Sequence, residues 1–141
     1  MKIRIIPIFI MLAIPLWLAA CAPATGTSVN VSCDEFNGQA HISKQMTVSA
    51  GNTFTVTLCS NATTGFQWSE SAKISDQTVV QQTGHEFVSP ENTGMAGAPG
   101  NEVWTFKALK KGTTTLNMEY SRPWESGEKG VWTFGLAVTV N

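Results

Sequence analysis

The sequence has few of the residues from which enzyme active sites are built. Two histidines and three cysteines occur among its 141 residues, and none has a zinc-ligand spacing such as His-x-x-x-His or Cys-x-x-Cys. A glycine-rich phosphate loop of the Walker or Rossmann type is absent. The acidic pair Asp34-Glu35 is expected on a strand, where neighbouring side chains point to opposite faces. With His41 and His85 interpreted as surface or packing residues, we predict a protein that is not an enzyme and has no cofactor.

Positive charge is also scarce. Nine Lys and Arg residues stand against ten Asp and Glu residues. Two of the nine, Lys2 and Arg4, lie at the extreme N-terminus, so the rest of the chain is slightly acidic. It contains no basic patch and no arginine-rich stripe. A chain of this composition is not expected to bind nucleic acid.

Long hydrophobic runs are confined to the N-terminus, and proline interrupts them there. The apolar stretch after the two basic residues is broken by Pro7 and Pro15, which makes it a poor membrane-spanning helix. Its length, its basic start and the small residues before Cys21 are typical of a secretory signal peptide, here residues 1–20. The segment "LAAC" also resembles the bacterial lipobox, in which the cysteine is lipidated. The alternative is ordinary cleavage that leaves Cys21 as a thiol.

A lipid on Cys21 would place the protein in a bacterial cell envelope. Acyl chains contribute about 0.8 kcal/mol per buried methylene, so a multiply acylated cysteine would hold a small domain on a membrane. Ala22 follows in place of the aspartate that usually signals inner-membrane retention, which favours the outer membrane. The small polar residues of this region suit a flexible tether, assigned to residues 21–30. Residues 31–141 then form one domain.

Export also accounts for the two remaining cysteines. If Cys21 carries lipid, Cys33 and Cys59 form an even pair in an oxidising compartment, where disulfides form and persist. A bridge between them would stabilise the fold by about 3–4 kcal/mol on the chain-entropy model. The alternative is two buried free thiols, and a free thiol near a histidine would leave a hydrolase as a competing hypothesis.

Apolar and polar residues alternate through most of the chain beyond the tether. The alternation is clearest in "TFTVTL" (53–58), "TTTLNMEY" (113–120) and "VWTFGLAVTV" (131–140). Turn residues separate such stretches at Ala50-Gly51-Asn52, Lys110-Lys111-Gly112 and Ser126-Gly127-Glu128. No window has a helical period. A period of two with many β-branched residues predicts an all-β, antiparallel β-sandwich.

Three loops of this sandwich have unusual sequences. "NATTGF" (61–66) places two threonines and a glycine directly after a strand, which is more than a plain hairpin turn needs. "NTGMAGAPGN" (92–101) is too long for a tight turn, and "SRPWESGEKG" (121–130) contains an Arg-Pro-Trp triplet. Loops at the ends of sandwiches commonly carry binding functions. For Trp124, the alternative is that its ring folds back and caps the sandwich.

Together these loops resemble the binding loops of the chagasin family of cysteine-peptidase inhibitors. The family pattern is Asn-Pro-Thr-Thr-Gly-[Phe/Tyr], then a Gly-x-Gly-Gly loop, then Arg-Pro-[Trp/Phe]. Here these segments are "NATTGF" (61–66), "GAPG" (97–100) and "RPW" (122–124), and the resemblance covers residues 40–141. Ala62 replaces the family's proline. Pro99 replaces a glycine, and because proline has no N–H, a backbone hydrogen bond donated there is lost.

The resemblance implies an immunoglobulin-like sandwich whose three loops fill the active-site cleft of a papain-like peptidase, endogenous or foreign. Thr63 and Thr64 would lie at the tip, Phe66 would point into the core, and Arg122 would brace the third loop. Inhibition would be reversible and non-covalent, by a monomer. The alternative is an immunoglobulin-like envelope adhesion or assembly module that binds through a strand edge or lateral face. The residues implied in peptidase binding are Asn61, Thr63, Thr64, Gly65, Gly97, Gly100, Arg122, Pro123 and Trp124.

Overall fold

The computed structural model describes residues 27–90 and 96–141, which form two packed β-sheets and a short helix. One sheet has the strand order β1-β3-β7-β6, and the other has the order β2-β9-β8-β4, with β5 also paired to β8. The prediction of an all-β sandwich is confirmed. The elements are β1 (Ser28–Val31), α1 (Cys33–Gly38), β2 (His41–Val48), β3 (Thr53–Ser60), a 3-10 turn (Ala62–Thr64), β4 (Gln67–Trp68), β5 (Lys73–Ile74), β6 (Val80–Val88), β7 (Gly100–Ala108), β8 (Gly112–Ser121) and β9 (Trp132–Val140).

Two strand pairs are parallel, so the sandwich is not purely antiparallel as the sequence predicted. β1 runs parallel to β3, and β2 runs parallel to β9. The pairs β3–β7, β6–β7, β4–β8, β5–β8 and β8–β9 are antiparallel. The prediction missed the parallel pairs because alternation shows which side chains of a strand are buried, whereas the direction of its partner depends on the path of the chain.

The predicted tether is too long at its C-terminal end. Residues 28–30 form most of β1, and Val31 at the end of that strand is buried. β1 is an edge strand in which two of the four residues are exposed, and backbone hydrogen bonds to β3 hold it in place. Such a strand has little hydrophobic signature, which is why composition assigned it to the tether. The predicted signal peptide (1–20), Cys21 and the rest of the predicted tether to residue 26 lie outside the described residues.

Helix α1 lies where no helix was predicted. The Ser32 hydroxyl accepts a hydrogen bond from the Glu35 backbone N–H at 3.2 Å, and the Glu35 carboxylate accepts one from the Ser32 N–H at 2.9 Å. The bond from Ser32, followed by that from the Lys44 ammonium, lowers the pKa of Glu35. Asp34-Glu35 is therefore on a helix and not on a strand. The capping-box pattern Ser32-x-x-Glu35 was the signal available in the sequence.

The side chains on the alternating faces form the core, as predicted. They include Phe54, Val56 and Leu58 of β3, Trp104 and Phe106 of β7, and Leu116, Met118 and Tyr120 of β8, with Met46, Val48, Phe134, Leu136, Val138 and Val140 from β2 and β9. Phe36 of α1 adds a ring that stacks on Trp132 at 5.0 Å between centroids. No helix among the described residues has both the length and the hydropathy to cross a membrane.

Cys33 and Cys59 form a disulfide, which confirms the predicted pairing. Their Cα atoms are 5.1 Å apart, and 26 positions separate them along the chain. The bridge joins the first residue of α1 to β3, two residues before the loop that starts at Asn61. It also removes the free thiols that a cysteine–histidine hydrolase would need.

We expect the double variant Cys33→Ser/Cys59→Ser to lose about 3–4 kcal/mol of unfolding free energy. Without the bridge, the unfolded chain regains the conformational entropy that the closed loop removes. Guanidinium unfolding of the variant and the parent protein measures the difference. Alkylation of folded, unreduced protein should label neither cysteine, and alkylation after reduction in denaturant should label both. Labelling of both cysteines before reduction would contradict the pairing.

Candidate functional site

The three unusual loops lie together at one end of the sandwich. The first loop (61–66) joins β3 to β4, the middle loop (89–99, described at 89–90 and 96–99) joins β6 to β7, and the third loop (122–131) joins β8 to β9. The Asn61 side-chain amide donates to the Gly97 carbonyl at 3.1 Å, which links the first and middle loops. Trp124 packs on Gly65, which links the first and third loops. We call this surface the loop end.

Hydrogen bonds within the first loop order its tip. The Asn61 carboxamide oxygen accepts from the Thr63 backbone N–H at 3.1 Å and from the Thr63 hydroxyl at 2.6 Å. The Thr64 hydroxyl donates to the Asn61 carbonyl at 2.7 Å. Both threonines are exposed. Because each hydroxyl proton is used inside the loop, each hydroxyl can meet an outside group only as an acceptor.

Gly65 allows both the turn of the tip and the approach of the third loop. Its φ of 78° lies in the left-handed region, where residues with a Cβ are strained. A Cβ on Gly65 would lie 3.0 Å from Cη2 of Trp124. The indole ring is 47% exposed at the loop end. It therefore does not fold over the core, and the alternative that Trp124 caps the sandwich is wrong.

A stack of side chains supports Trp124 from below. The Arg122 guanidinium carbon lies 4.4 Å from the centroid of the Phe66 ring and 5.7 Å from that of Trp124. Phe66 in turn stacks on Tyr120, with centroids 5.5 Å apart. The Tyr120 hydroxyl accepts from the Asn61 N–H at 2.9 Å, so the stack also reaches the base of the first loop. These contacts agree with the bracing role that the resemblance implies for Arg122.

The two glycines of the segment "GAPG" (97–100) lie in different surroundings. Gly97 is exposed, has a φ of 82° and supplies the carbonyl that Asn61 contacts. Gly100 is the buried first residue of β7 and pairs with Ser60 of β3. A Cβ on Gly100 would lie 2.5 Å from the Val88 carbonyl oxygen and 2.8 Å from Cζ of Phe87. Gly100 thus allows close packing, and its burial does not support a direct contact with a peptidase.

A buried carboxylate beneath the loop end was not recognised in the sequence. Glu102 of β7 is 4% exposed, and it accepts hydrogen bonds from the Ser60 hydroxyl at 2.7 Å and the Trp68 backbone N–H at 3.3 Å. Its second oxygen lies 2.9 Å from Nε2 of His85. The sequence did contain a sign of this burial, the alternation Glu102-x-Trp104-x-Phe106, which places Glu102 on the buried face of its strand.

This polar network is not arranged for hydrolysis. In a nucleophilic triad the imidazole lies between the serine and the acid, whereas here the Glu102 carboxylate lies between Ser60 and His85. Within residues 27–90 and 96–141, no group of three or more His, Cys, Asp or Glu side chains could hold a metal ion. The network instead connects β3, β4, β6 and β7, the strands that flank the first and middle loops.

Comparison with known proteins agrees with this geometry. The model of the chagasin family of peptidase inhibitors, family I42, matches residues 47–138. This chain belongs to the chagasin family. Family membership confirms that the protein is a peptidase inhibitor and not an enzyme.

The inhibitor is similar in sequence to two characterised relatives. It is 30% identical to Amoebiasin-2 of Entamoeba histolytica over 93 residues, which cover 66% of this chain and 74% of the relative. It is 31% identical to chagasin of Trypanosoma cruzi over 88 residues, which cover 61% of this chain and 79% of the relative. The sequence likeness therefore spans most of each relative.

Two solved structures share the inhibitor's fold. One is the crystal structure of the cysteine protease inhibitor EhICP2 from Entamoeba histolytica, with a TM-score of 0.62, 24% identity and coverage of 81% of this chain and 96% of that chain. The other is PbICP-C in complex with falcipain-2, with a TM-score of 0.61, 19% identity and coverage of 82% of this chain and 100% of that chain. At these identities the likeness concerns the fold, and it confirms the predicted immunoglobulin-like sandwich.

Proposed function

We propose that the loop end of this inhibitor occludes the active-site cleft of papain-like cysteine peptidases, reversibly and without covalent chemistry. The observation that carries this proposal is the position of exposed Trp124 against Gly65, beside the Thr63-Thr64 tip. In this proposal the two exposed threonines and the flat aromatic ring beside them enter the cleft together. The structure of the fold relative PbICP-C in complex with falcipain-2 supports a cysteine peptidase as the target.

The order within the tip favours tight binding. Residues 62–64 form a 3-10 turn that the Asn61 side chain caps, so little conformational freedom remains to be lost on binding. The turn is also compact, unlike the extended conformation in which a peptide bond is presented for cleavage. In this proposal the tip covers the catalytic cysteine and leaves it without a carbonyl in position for attack.

The proposal assigns direct contacts to eight of the nine residues named from the sequence. The tip and Trp124 make the central contacts, and Gly97 contacts one side of the cleft. Arg122 and Pro123 contact the rim while they hold the third loop in shape. Gly100 acts indirectly, because it is buried in β7.

Titration of papain with the purified mature chain, in which Cys21 is replaced by serine, tests the proposal. Hydrolysis of a fluorogenic peptide should fall in proportion to the added inhibitor and recover on dissociation, with competitive kinetics. Mass spectrometry of the recovered inhibitor should show an uncleaved, unmodified chain. Full peptidase activity at a large excess of inhibitor would overturn the proposal for this target.

We also propose that Cys21 is lipidated and anchors the inhibitor to a bacterial membrane, with the outer membrane favoured by Ala22. The direction of β1 supports this arrangement. Ser28 pairs with Thr55 near the start of β3, and Val31 pairs with Leu58 near its end, so β1 runs toward the loop end. The chain from Cys21 thus enters the domain at the opposite end, and an anchored inhibitor would point its loops away from the lipid.

Cell fractionation tests the anchor. In the full-length protein, Cys21→Ser should move the inhibitor from the membrane fraction to the soluble fraction, while Ala22→Ser, as a matched control, should leave it on the membrane. An unchanged distribution of the Cys21→Ser protein would contradict lipid anchoring through this residue.

A further inference from the structure

Phe87, near the end of β6, is a large apolar side chain that the sandwich leaves uncovered. It is 45% exposed, although it lies on the core-facing side of its sheet. This orientation follows from the strand register, in which Phe87 pairs with Glu102, and His85 pairs with Trp104. Paired residues of antiparallel strands share a face, and both Glu102 and Trp104 are buried.

Phe87 is uncovered because the opposite sheet ends beneath it. The facing strand β4 has two residues, Gln67–Trp68, and the chain before them turns away into the first loop. Gly100 seats the Phe87 ring, since a Cβ on Gly100 would lie 2.8 Å from its Cζ atom and 3.2 Å from its Cε2 atom. The close packing allowed by Gly100 therefore fixes the place of an exposed aromatic ring.

A groove of about 590 Å³ connects Phe87 to the loop end. Its upper wall contains Ala62, Gly65 and Phe66 of the first loop and Pro123 of the third loop, and Phe87 lines it as well. Gly65 and Pro123 are residues to which we assign peptidase contacts. The groove is thus continuous with the proposed binding surface.

The part of the groove beside Phe87 favours an apolar occupant. Its most buried polar groups are Ser60, Glu102 and His85, and they are hydrogen-bonded to one another. Polar side chains also line the groove, among them Gln67, Ser69, Glu70, Glu119 and Ser121. The surfaces of Ala62, Phe66 and Phe87 form its apolar part. An apolar side chain there would be removed from water without breaking this network.

We propose that Phe87 is a fourth contact element of the inhibitor, which receives an apolar side chain from the peptidase surface beside the cleft. This inference rests on the proposed function, because insertion of the three loops is what brings the peptidase surface over the groove. It adds a contact outside the three loop motifs, and this contact adjusts affinity according to the residue at the rim of the peptidase.

Comparison of inhibition constants for papain tests the inference, with Leu109→Ala as the matched control. Leu109 is also an exposed apolar residue, at 44%, but it lies in the turn after β7 at the end of the domain opposite the loops. Phe87→Ala should weaken inhibition about tenfold, mainly through faster dissociation. Phe87→Leu, which keeps most of the apolar surface, should stay within about threefold of the parent, and Leu109→Ala should match the parent.

The outcomes separate this inference from the proposed function. Absence of papain inhibition by the parent protein would overturn the proposed function for this target and the inference with it. Equal inhibition by the parent and Phe87→Ala would overturn the inference alone. Thermal unfolding of each variant completes the test, because a lower midpoint for Phe87→Ala with unchanged inhibition would assign Phe87 a structural role and also overturn the inference.

Discussion

Replacement of Trp124 by alanine should weaken inhibition of papain by about thirtyfold or more. The indole offers a large, rigid surface that is 47% exposed in the free inhibitor and already rests on Gly65. Loss of an interface tryptophan of this kind costs about 2 kcal/mol or more of binding free energy. Inhibition constants from titrations of the variant and the parent measure the effect.

Three further variants define where the affinity lies. Trp124→Phe keeps a flat ring and should retain more potency than Trp124→Ala. Thr64→Ala should weaken inhibition clearly, because it removes the hydroxyl that bonds to the Asn61 carbonyl within the tip. Pro99→Gly should change potency little or improve it, since it restores an N–H in the middle loop.

Circular dichroism of each variant controls for loss of the fold. If Trp124→Ala and Thr64→Ala both keep full potency with the fold intact, the binding surface lies elsewhere. That result would favour a lateral face or a strand edge as the surface that contacts the peptidase.

Replacement of Glu102 by leucine should lower the free energy of unfolding by about 3 kcal/mol. The carboxylate accepts hydrogen bonds from the Ser60 hydroxyl and the Trp68 N–H, and it also contacts the ring of His85. Leucine would leave these buried groups without their partner. A buried polar group that loses its partner costs about 1–3 kcal/mol, and Glu102 serves several.

Glu102→Gln is the matched control for this variant. The glutamine carbonyl can accept from Ser60 and Trp68, and its amide can donate to an unprotonated nitrogen of His85. We expect Glu102→Gln to retain most of the stability in urea unfolding. Equal midpoints and slopes for the parent and Glu102→Leu would contradict a stabilising role for the network.

The alternating pattern of the sequence identified the core residues of the long strands, but not Phe36, which α1 contributes. Phe54, Val56 and Leu58 are buried on one face of β3, as their spacing predicted. Successive side chains of a strand point to opposite faces, so when apolar and polar residues alternate, the apolar residues all lie on one face, which is the face that is buried. The pairing of Cys33 with Cys59 was predictable from the cysteine count, because lipidation of Cys21 would leave these two as the remaining cysteines.

The sequence also identified the three loops, since their motifs are short and continuous. It identified the chagasin family from them, and eight of the nine residues it named are at least partly accessible at the loop end. The exception is Gly100, whose motif position gave no sign that it begins a buried strand.

The tertiary structure alone decided the parallel pairing of β1 with β3 and of β2 with β9, the contacts of Glu102 with Ser60 and His85, and the exposure of Phe87. Each depends on residues far apart in the chain, as with Ser60 and Glu102, which 42 positions separate. Periodicity describes the faces of one strand, but it carries no information on which strand lies beside it or where the opposite sheet ends. Phe87 is exposed for that reason: its own strand places it toward the core, and the short β4 leaves no strand to cover it.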